Sequence, residues 1–367
     1  MGIQRNNLLT ANEIMHILIG SIIGIGILSL PNSLVENAYQ DSWISVVIGS
    51  IYPIYIILLI IFIVNRYPKD NILVLSKKYC GTFIGTILNF AFLTFFFIYT
   101  SLSLAGFSNL IRTYSAPYIS SFDIVFTTTL IIAYTAYKGV KVLGKINQLS
   151  AYLLMILILA SIPALAKGRI ENLFPMFQSN FKGILKGAKE STFSYAGLES
   201  IAIIYPFVND AKKVKSSLFK GIFITIIIYI YVVFITIYYL GVDIVPKDFW
   251  SFVVVIESVT VTVINNFRFV FVFLWIGIEI PLCSNYFYAL TFILKDIFKK
   301  ISRMLSFILS CILIVALTMM FVNEPTRKKF LEFVVPKYTI FNIFYISLIS
   351  LLIFFKKGEK SEKYQSN

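Results

Sequence analysis

The chain has little of what soluble catalysis uses. It carries one histidine, His16, three cysteines and 18 acidic residues in a length of 367. A single histidine excludes a histidine-rich metal site, and a Ser-His-Asp hydrolase would hang on one residue near the start of a helix. Cys80, Cys283 and Cys311 lie far apart and fit no CxxC or metal spacing, so ordinary buried thiols are expected. Gly24 and Gly26 have no third glycine three residues on and no surrounding βαβ pattern, which excludes a dinucleotide fingerprint. Charge is scarce as well. With 14% charged against 58% hydrophobic residues, the polar surface is too small to cover a soluble globule of this size. An all-α integral membrane protein is predicted, with no enzyme activity and no cofactor.

What is present is length in the apolar runs. Ten of them approach the span of a bilayer core: Glu13 to Val35, Ile44 to Asn65, Ile84 to Ile111, Asp123 to Ala136, Leu149 to Ala166, Glu190 to Pro206, Ile222 to Leu240, Phe267 to Leu294, Leu305 to Val322 and Tyr338 to Phe355. The first lacks a basic n-region and a small-residue cleavage site, so it reads as a retained span rather than a signal peptide. Lysine and arginine gather on one side. That side comprises Arg5, the connections after runs two, four, six and eight, and the tail from Lys356 to Lys363. The positive-inside rule then puts both termini in the cytoplasm. The net charge of +14 needs no nucleic acid, because basic inner loops facing anionic membrane lipids account for most of it.

Two runs are interrupted. In the first, Gly24-Ile25-Gly26-Ile27-Leu28-Ser29-Leu30-Pro31 places two weak helix formers and a proline at membrane depth. In the sixth, Ser194-Tyr195-Ala196-Gly197-Leu198-Glu199 combines small residues, a glycine and a carboxylate. Backbone freed at that depth is tolerated only where protein or a polar cavity satisfies it. The two breaks open two halves of five runs, Thr10 to Ala166 and Glu190 to Phe355. Five is odd, so the halves insert with opposite orientation. This is the five-plus-five inverted repeat of secondary transporters, with the broken helices meeting at the midplane, in a single transmembrane domain over residues 1–367.

Such a gap suits a small zwitterion. Restarting the first helix near Ser29 puts Pro31 in a first turn and leaves the N–H groups of Ile27 and Leu28 facing the gap, where a helix start favours a carboxylate. Carbonyls around Ser194 to Ala196 are expected to accept from an ammonium group. Gly24, Gly26 and Gly197 permit close approach of a ligand to the backbone. Ile25 lies within the gap, and Tyr99, Ser103, Trp275 and Glu279 are the expected selectivity residues from runs three and eight. Glu199 and Glu279 are carboxylates in apolar spans, and each needs a proton, a partner or water. For Glu199, ligand or proton binding stands beside a hydrogen bond to the first run's backbone. Arg268 is expected to snorkel to the outer interface. Run five holds no lysine to replace a sodium ion, and Ser284 in run eight is a possible ion ligand.

These residues also carry a resemblance. The Gly24 to Pro31 break, followed by Ala38-Tyr39-Gln40-Asp41-Ser42-Trp43-Ile44-Ser45, resembles the opening of the spore germination receptor B subunits. Arg66-Tyr67-Pro68, Tyr79-Cys80-Gly81 with Gly85, and Asn172-Leu173-Phe174-Pro175 with Ile184-Leu185-Lys186-Gly187 are similar to later stretches of that family. The resemblance covers nearly the whole chain. One departure stands out: Gly139-Val140-Lys141 and Lys145 occupy the place of the family's Gly-Ile-Glu-like turn and following arginine. The resemblance implies the fold of the amino acid/polyamine/organocation (APC) superfamily, which is LeuT-like, and a place in the spore inner membrane. It implies a germinant sensor acting with receptor A and C subunits, whose ligand is an amino acid or similar compound. A proton-coupled amino acid permease is the alternative, and a structural subunit with a vestigial site is a third reading.

Overall fold

The computed structural model describes residues 8–257 and 267–356, so Arg5 and the tail lysines Lys357, Lys360 and Lys363 lie outside the described residues. Among the described residues the regular structure is almost entirely helical. In order, the helices are α1 (Ala11–Ile22), α2 (Gly26–Ala38), α3 (Ser42–Gly49), α4 (Ile51–Arg66), α5 (Ile72–Cys80), α6 (Thr82–Tyr114), α7 (Ser121–Tyr137) and α8 (Val140–Ser161). They continue as α9 (Phe181–Ser194), α10 (Ile201–Ile204), α11 (Ala211–Leu240), α12 (Ser251–Glu257), α13 (Phe267–Ile297), α14 (Arg303–Met320) and α15 (Glu324–Phe355). Seven stretches among the described residues are long and apolar enough to cross a membrane, the first being Gly26–Arg66. The fourth predicted run lies within the shorter helix α7.

The helices overrun the apolar runs that announced them. α15 begins at Glu324 where hydropathy alone started at Tyr338, and α11 begins at Ala211 rather than Ile222. A helix carries its hydrogen bonding on into the polar interface, whereas an apolar run marks only the part in hydrocarbon. Local signals do fix the ends. Thr10 and Glu13 form a reciprocal capping box on α1, and Asn71, Ser120, Asn180, Asp210, Ser302 and Asn323 cap their helices through side-chain oxygens. The short helices α5 and α12 had no sequence forecast, because a run of nine or fewer residues is too short to stand out as a span.

The two broken segments run through the middle of the bundle. α1 packs against α8, α11 and α13, while α2 packs against α9, α11 and α12. All of α10 is buried. The Asp41 to Ser45 part of the family resemblance is a docking device. Asp41 accepts from the N–H groups of Phe177 (2.6 Å) and Ser179 (2.9 Å), Ser45 donates to the Ile184 carbonyl, and Ser191 donates to the Ser45 carbonyl. These bonds hold the loop ahead of α9, and α9 itself, against α3.

On the side carrying the N terminus, several bonds tie the start of α1 to its surroundings. Leu9 pairs with the chain after α10: its N–H donates to Phe207 O (2.8 Å) and its carbonyl accepts from Asn209 N (2.9 Å). Lys141 reaches Glu13 at 2.8 Å, and Tyr205 donates to the carbonyl of Asp70. Lys141, the departure from the family pattern, is thus an ion-pair partner of α1.

Candidate functional site

The first break spans Ile23–Ile25. Ile23 is extended, Ile25 returns to helical geometry and α2 begins at Gly26. The restart therefore comes three residues earlier than predicted, and Pro31 lies inside α2 rather than in its first turn. The N–H groups of Ile27 and Leu28 do not face the gap either. They bond back to Gly24 O (3.1 Å) and Ile25 O (3.3 Å) in a tight first turn. What meets the gap is the Ile25 N–H, and its partner is the carboxylate of Glu279 on α13, with Oε2 at 3.1 Å. Ser103 of α6 donates to the other oxygen, Oε1, and the Cys283 thiol lies 3.7 Å from it.

The second break spans Tyr195–Gly197, with Gly197 at φ 109°. A side chain there is strained in any case, and an added Cβ would lie 2.0 Å from the Tyr286 hydroxyl and 2.2 Å from Ser21 O. Glu199 folds back so that Oε2 accepts from Gly197 N at 2.7 Å, while Oε1 accepts from Tyr52 and, at 2.9 Å, from the Asn342 amide. Its backbone bond is thus to its own segment and not to the first run.

Two tyrosines join the breaks. The Tyr229 hydroxyl lies 2.7 Å from Ser194 O and 3.3 Å from Ile22 O, and the Tyr286 hydroxyl lies 2.6 Å from Ser21 O and 3.3 Å from Ala196 O. The Ser194 and Ala196 carbonyls expected to face an ammonium group therefore meet phenol hydroxyls.

A cavity of about 410 Å³ lies above this junction, opening on the side opposite the N terminus. Of the predicted residues, Gly24, Ile25, Gly26, Tyr99, Ser103, Ser194 and Ala196 line it. Glu279 sits one layer behind the wall: a Cβ on Gly24 would come within 3.2 Å of its Oε2. Ile27, Leu28, Tyr195, Gly197, Glu199 and Trp275 are buried away from it. Tyr195 stacks on Tyr229 at 4.8 Å, and Trp275 stacks on Phe271 at 5.4 Å. Gly26 differs from its neighbours, because an added Cβ meets nothing within 4 Å. The roof is pinned by Asn32 of α2, which donates to Val245 O (2.7 Å) and accepts from the Ser251 hydroxyl (2.7 Å).

Just ahead of the lysine-free fifth run, α8 contributes an amide. Asn147 and Asn285 exchange bonds at 2.8 and 3.0 Å, and Asn285 also reaches the Ser21 hydroxyl at 3.0 Å. Ser284 donates to Ile280 O within its own helix, and Arg268, near the start of α13, pairs with Glu257 at 3.4 Å.

The sequence profile of the family described as spore germination protein matches residues 8–327. The chain belongs to that family. Among its relatives, spore germination protein GerQB of Bacillus cereus is 24% identical over 259 residues, covering 71% of this chain and 72% of its own length. Spore germination protein YndE of Bacillus subtilis (strain 168) is 22% identical over 297 residues, covering 80% and 82%. Among solved structures, a Na+-coupled sialic acid symporter in a substrate-bound outward-open state superposes with a TM-score of 0.66 at 12% identity. That match covers 95% of this chain and 79% of the symporter, which makes the fold LeuT-like. The chain is a multi-pass, permease-like membrane protein of the spore germination family, and its cavity lies at the helix breaks of a transporter fold.

Several residues of the site were not foreseen. Tyr286 had a signal: Glu279, Cys283 and Tyr286 stand at i, i+4 and i+7 on one face of α13. Tyr52, Tyr229 and Asn342 had none, since each comes from a distant helix and meets the breaks only in the packed bundle.

Proposed function

We propose that this chain is the permease-like subunit of a nutrient germinant receptor, and that the cavity at the first break takes a small amino-group-bearing germinant of the amino acid class. The observation that carries this reading is Gly26, a glycine at a helix break that faces open cavity rather than packed protein. Ligand binding on the open side biases the chain toward the state that binds it better, by the difference in affinity between the two states. In this reading A and C subunits transmit the change, and the chain sits in the spore inner membrane with both termini cytoplasmic. Ten crossings in two inverted halves, about 10–166 and 190–355, form one transmembrane domain.

The test is Gly26→Val. An added Cβ meets no protein atom within 4 Å and the position lines the cavity, so germinant response is expected to fall by at least about tenfold while receptor assembly and thermal stability stay near wild-type level. An intact response in assembled receptor overturns the reading. A cavity at the helix breaks is also what a permease uses, so proton-driven uptake of labelled amino acids into vesicles is the measure of that second reading.

A further inference from the structure

Glu279 stands where a transporter-like site would hold the carboxylate of its ligand. It meets the one backbone N–H that the first break turns toward α13, at the start of a thirteen-residue helix, which is a place that favours an anion. Ile25 N–H, the Ser103 hydroxyl and the Cys283 thiol converge on its two oxygens, the surroundings of an acceptor. The carboxylate is fully buried, yet its bonding partners Ile25 and Ser103 and its neighbour Gly24 all line the cavity. Its carboxyl group therefore acts on whatever sits beside Gly24.

The rest of the lining is mixed but acidic on balance, with five carboxylates against three cations, Lys247, Arg327 and Lys328. Glu36 and Glu324 are paired with Lys328 and Arg327. Glu190 and Glu332, which also line the cavity, have no lysine or arginine nitrogen within 4.0 Å among the described residues. A second carboxylate at the break would face Glu279 at short range in a poorly screened site, whereas an ammonium group is attracted there.

The geometry points to a ligand recognised by its ammonium group, with the α-carboxylate dispensable because the chain supplies its own at that position. This rests on the reading of the cavity as the germinant site. The favoured class is small primary amines and carboxyl-blocked amino acids over the free acids.

The experiment uses the purified full chain in nanodiscs at neutral pH and matched probes: alanine, alaninamide and ethylamine; valine, valinamide and isobutylamine; lysine, lysinamide and cadaverine. Binding is read by calorimetry and by thermal shift. In at least one set the carboxyl-free members are expected to bind about tenfold or more tighter than the acid. Glu279→Gln is expected to narrow or reverse that ratio. If a free acid binds and its amide and amine do not, the inference is overturned while the cavity remains the germinant site. If no member of any set binds, the reading of the cavity falls, and the inference falls with it. The wild-type comparison decides even where the variant does not fold.

Discussion

The two helix breaks use the same parts for different ends. Each has a glycine and a buried carboxylate, and the two share a pair of tyrosine hydroxyls. At the second break the carboxylate comes from the same segment, two residues after the glycine whose N–H it binds. At the first it comes from another helix, so the backbone on the cavity side stays open. The glycines differ in the same sense. Gly197 is enclosed by Tyr286 and Ser21, whereas Gly26 faces space. The second break is thus closed at Gly197 and meets the cavity only beside it, at Ser194 and Ala196, whereas the first lines the cavity through Gly24, Ile25 and Gly26. Glycine, break and carboxylate together do not make a binding site; what matters is which atoms fill the gap.

That contrast can be broken by substitution. Gly197→Val should have the largest effect, since positive φ and contacts near 2 Å to backbone and side chain act together. A loss of more than about 4 kcal/mol is expected, visible as failure to recover monodisperse protein. Well-folded Gly197→Val would erase the distinction from Gly26.

Glu199→Ala comes next. It strands the Gly197 N–H, the Tyr52 hydroxyl and the Asn342 amide, and a buried polar group without a partner costs about 1–3 kcal/mol. A fall in thermal unfolding temperature larger than that of Glu279→Gln is the expected result. Equal falls would mean that both carboxylates are structural.

The tyrosine staples should matter less. Tyr229→Phe and Tyr286→Phe each remove one hydroxyl shared by two carbonyls, and hydrogen bonds between membrane helices average about 0.6 kcal/mol. Their double variant should exceed the sum of the singles if the hydroxyls act together across both breaks. Strict additivity in a double-mutant cycle would show that they act separately.

Lys141→Met should have the smallest effect. The Glu13 pair is partly exposed, and such pairs contribute about 0.2–1 kcal/mol. The backbone pairing of Leu9 with Phe207 and Asn209 holds the start of α1 without it. A marked gain of water accessibility at Leu9 in Lys141→Met would transfer the holding role from backbone to ion pair.

Much of this was legible in the linear chain. Hydropathy located most of the spans, and the Gly24–Gly26 and Ser194–Gly197 stretches marked both interruptions, because backbone weakness and apolar length are local properties. The restart of the first helix was misplaced. Pro31 reads as a helix start, yet α2 begins at Gly26 and tolerates the proline inside, since neighbouring packing outweighs propensity in a buried helix. The expected carbonyl acceptors at Ser194 and Ala196 were right as positions, but the hydroxyls that meet them come from α11 and α13. No periodicity within run six could reveal them.

The sequence by itself determined the membrane class, the two interruptions and the family, because all three depend on composition and order along the chain. Only the tertiary structure decided that Glu199 closes its own break, that Glu279 fills the other, and that of the two glycines lining the cavity Gly26 has room for a side chain. The physical reason is that a freed N–H or carbonyl takes whichever partner the packed helices bring within about 3 Å. Proximity across more than 250 residues of chain is set by the fold.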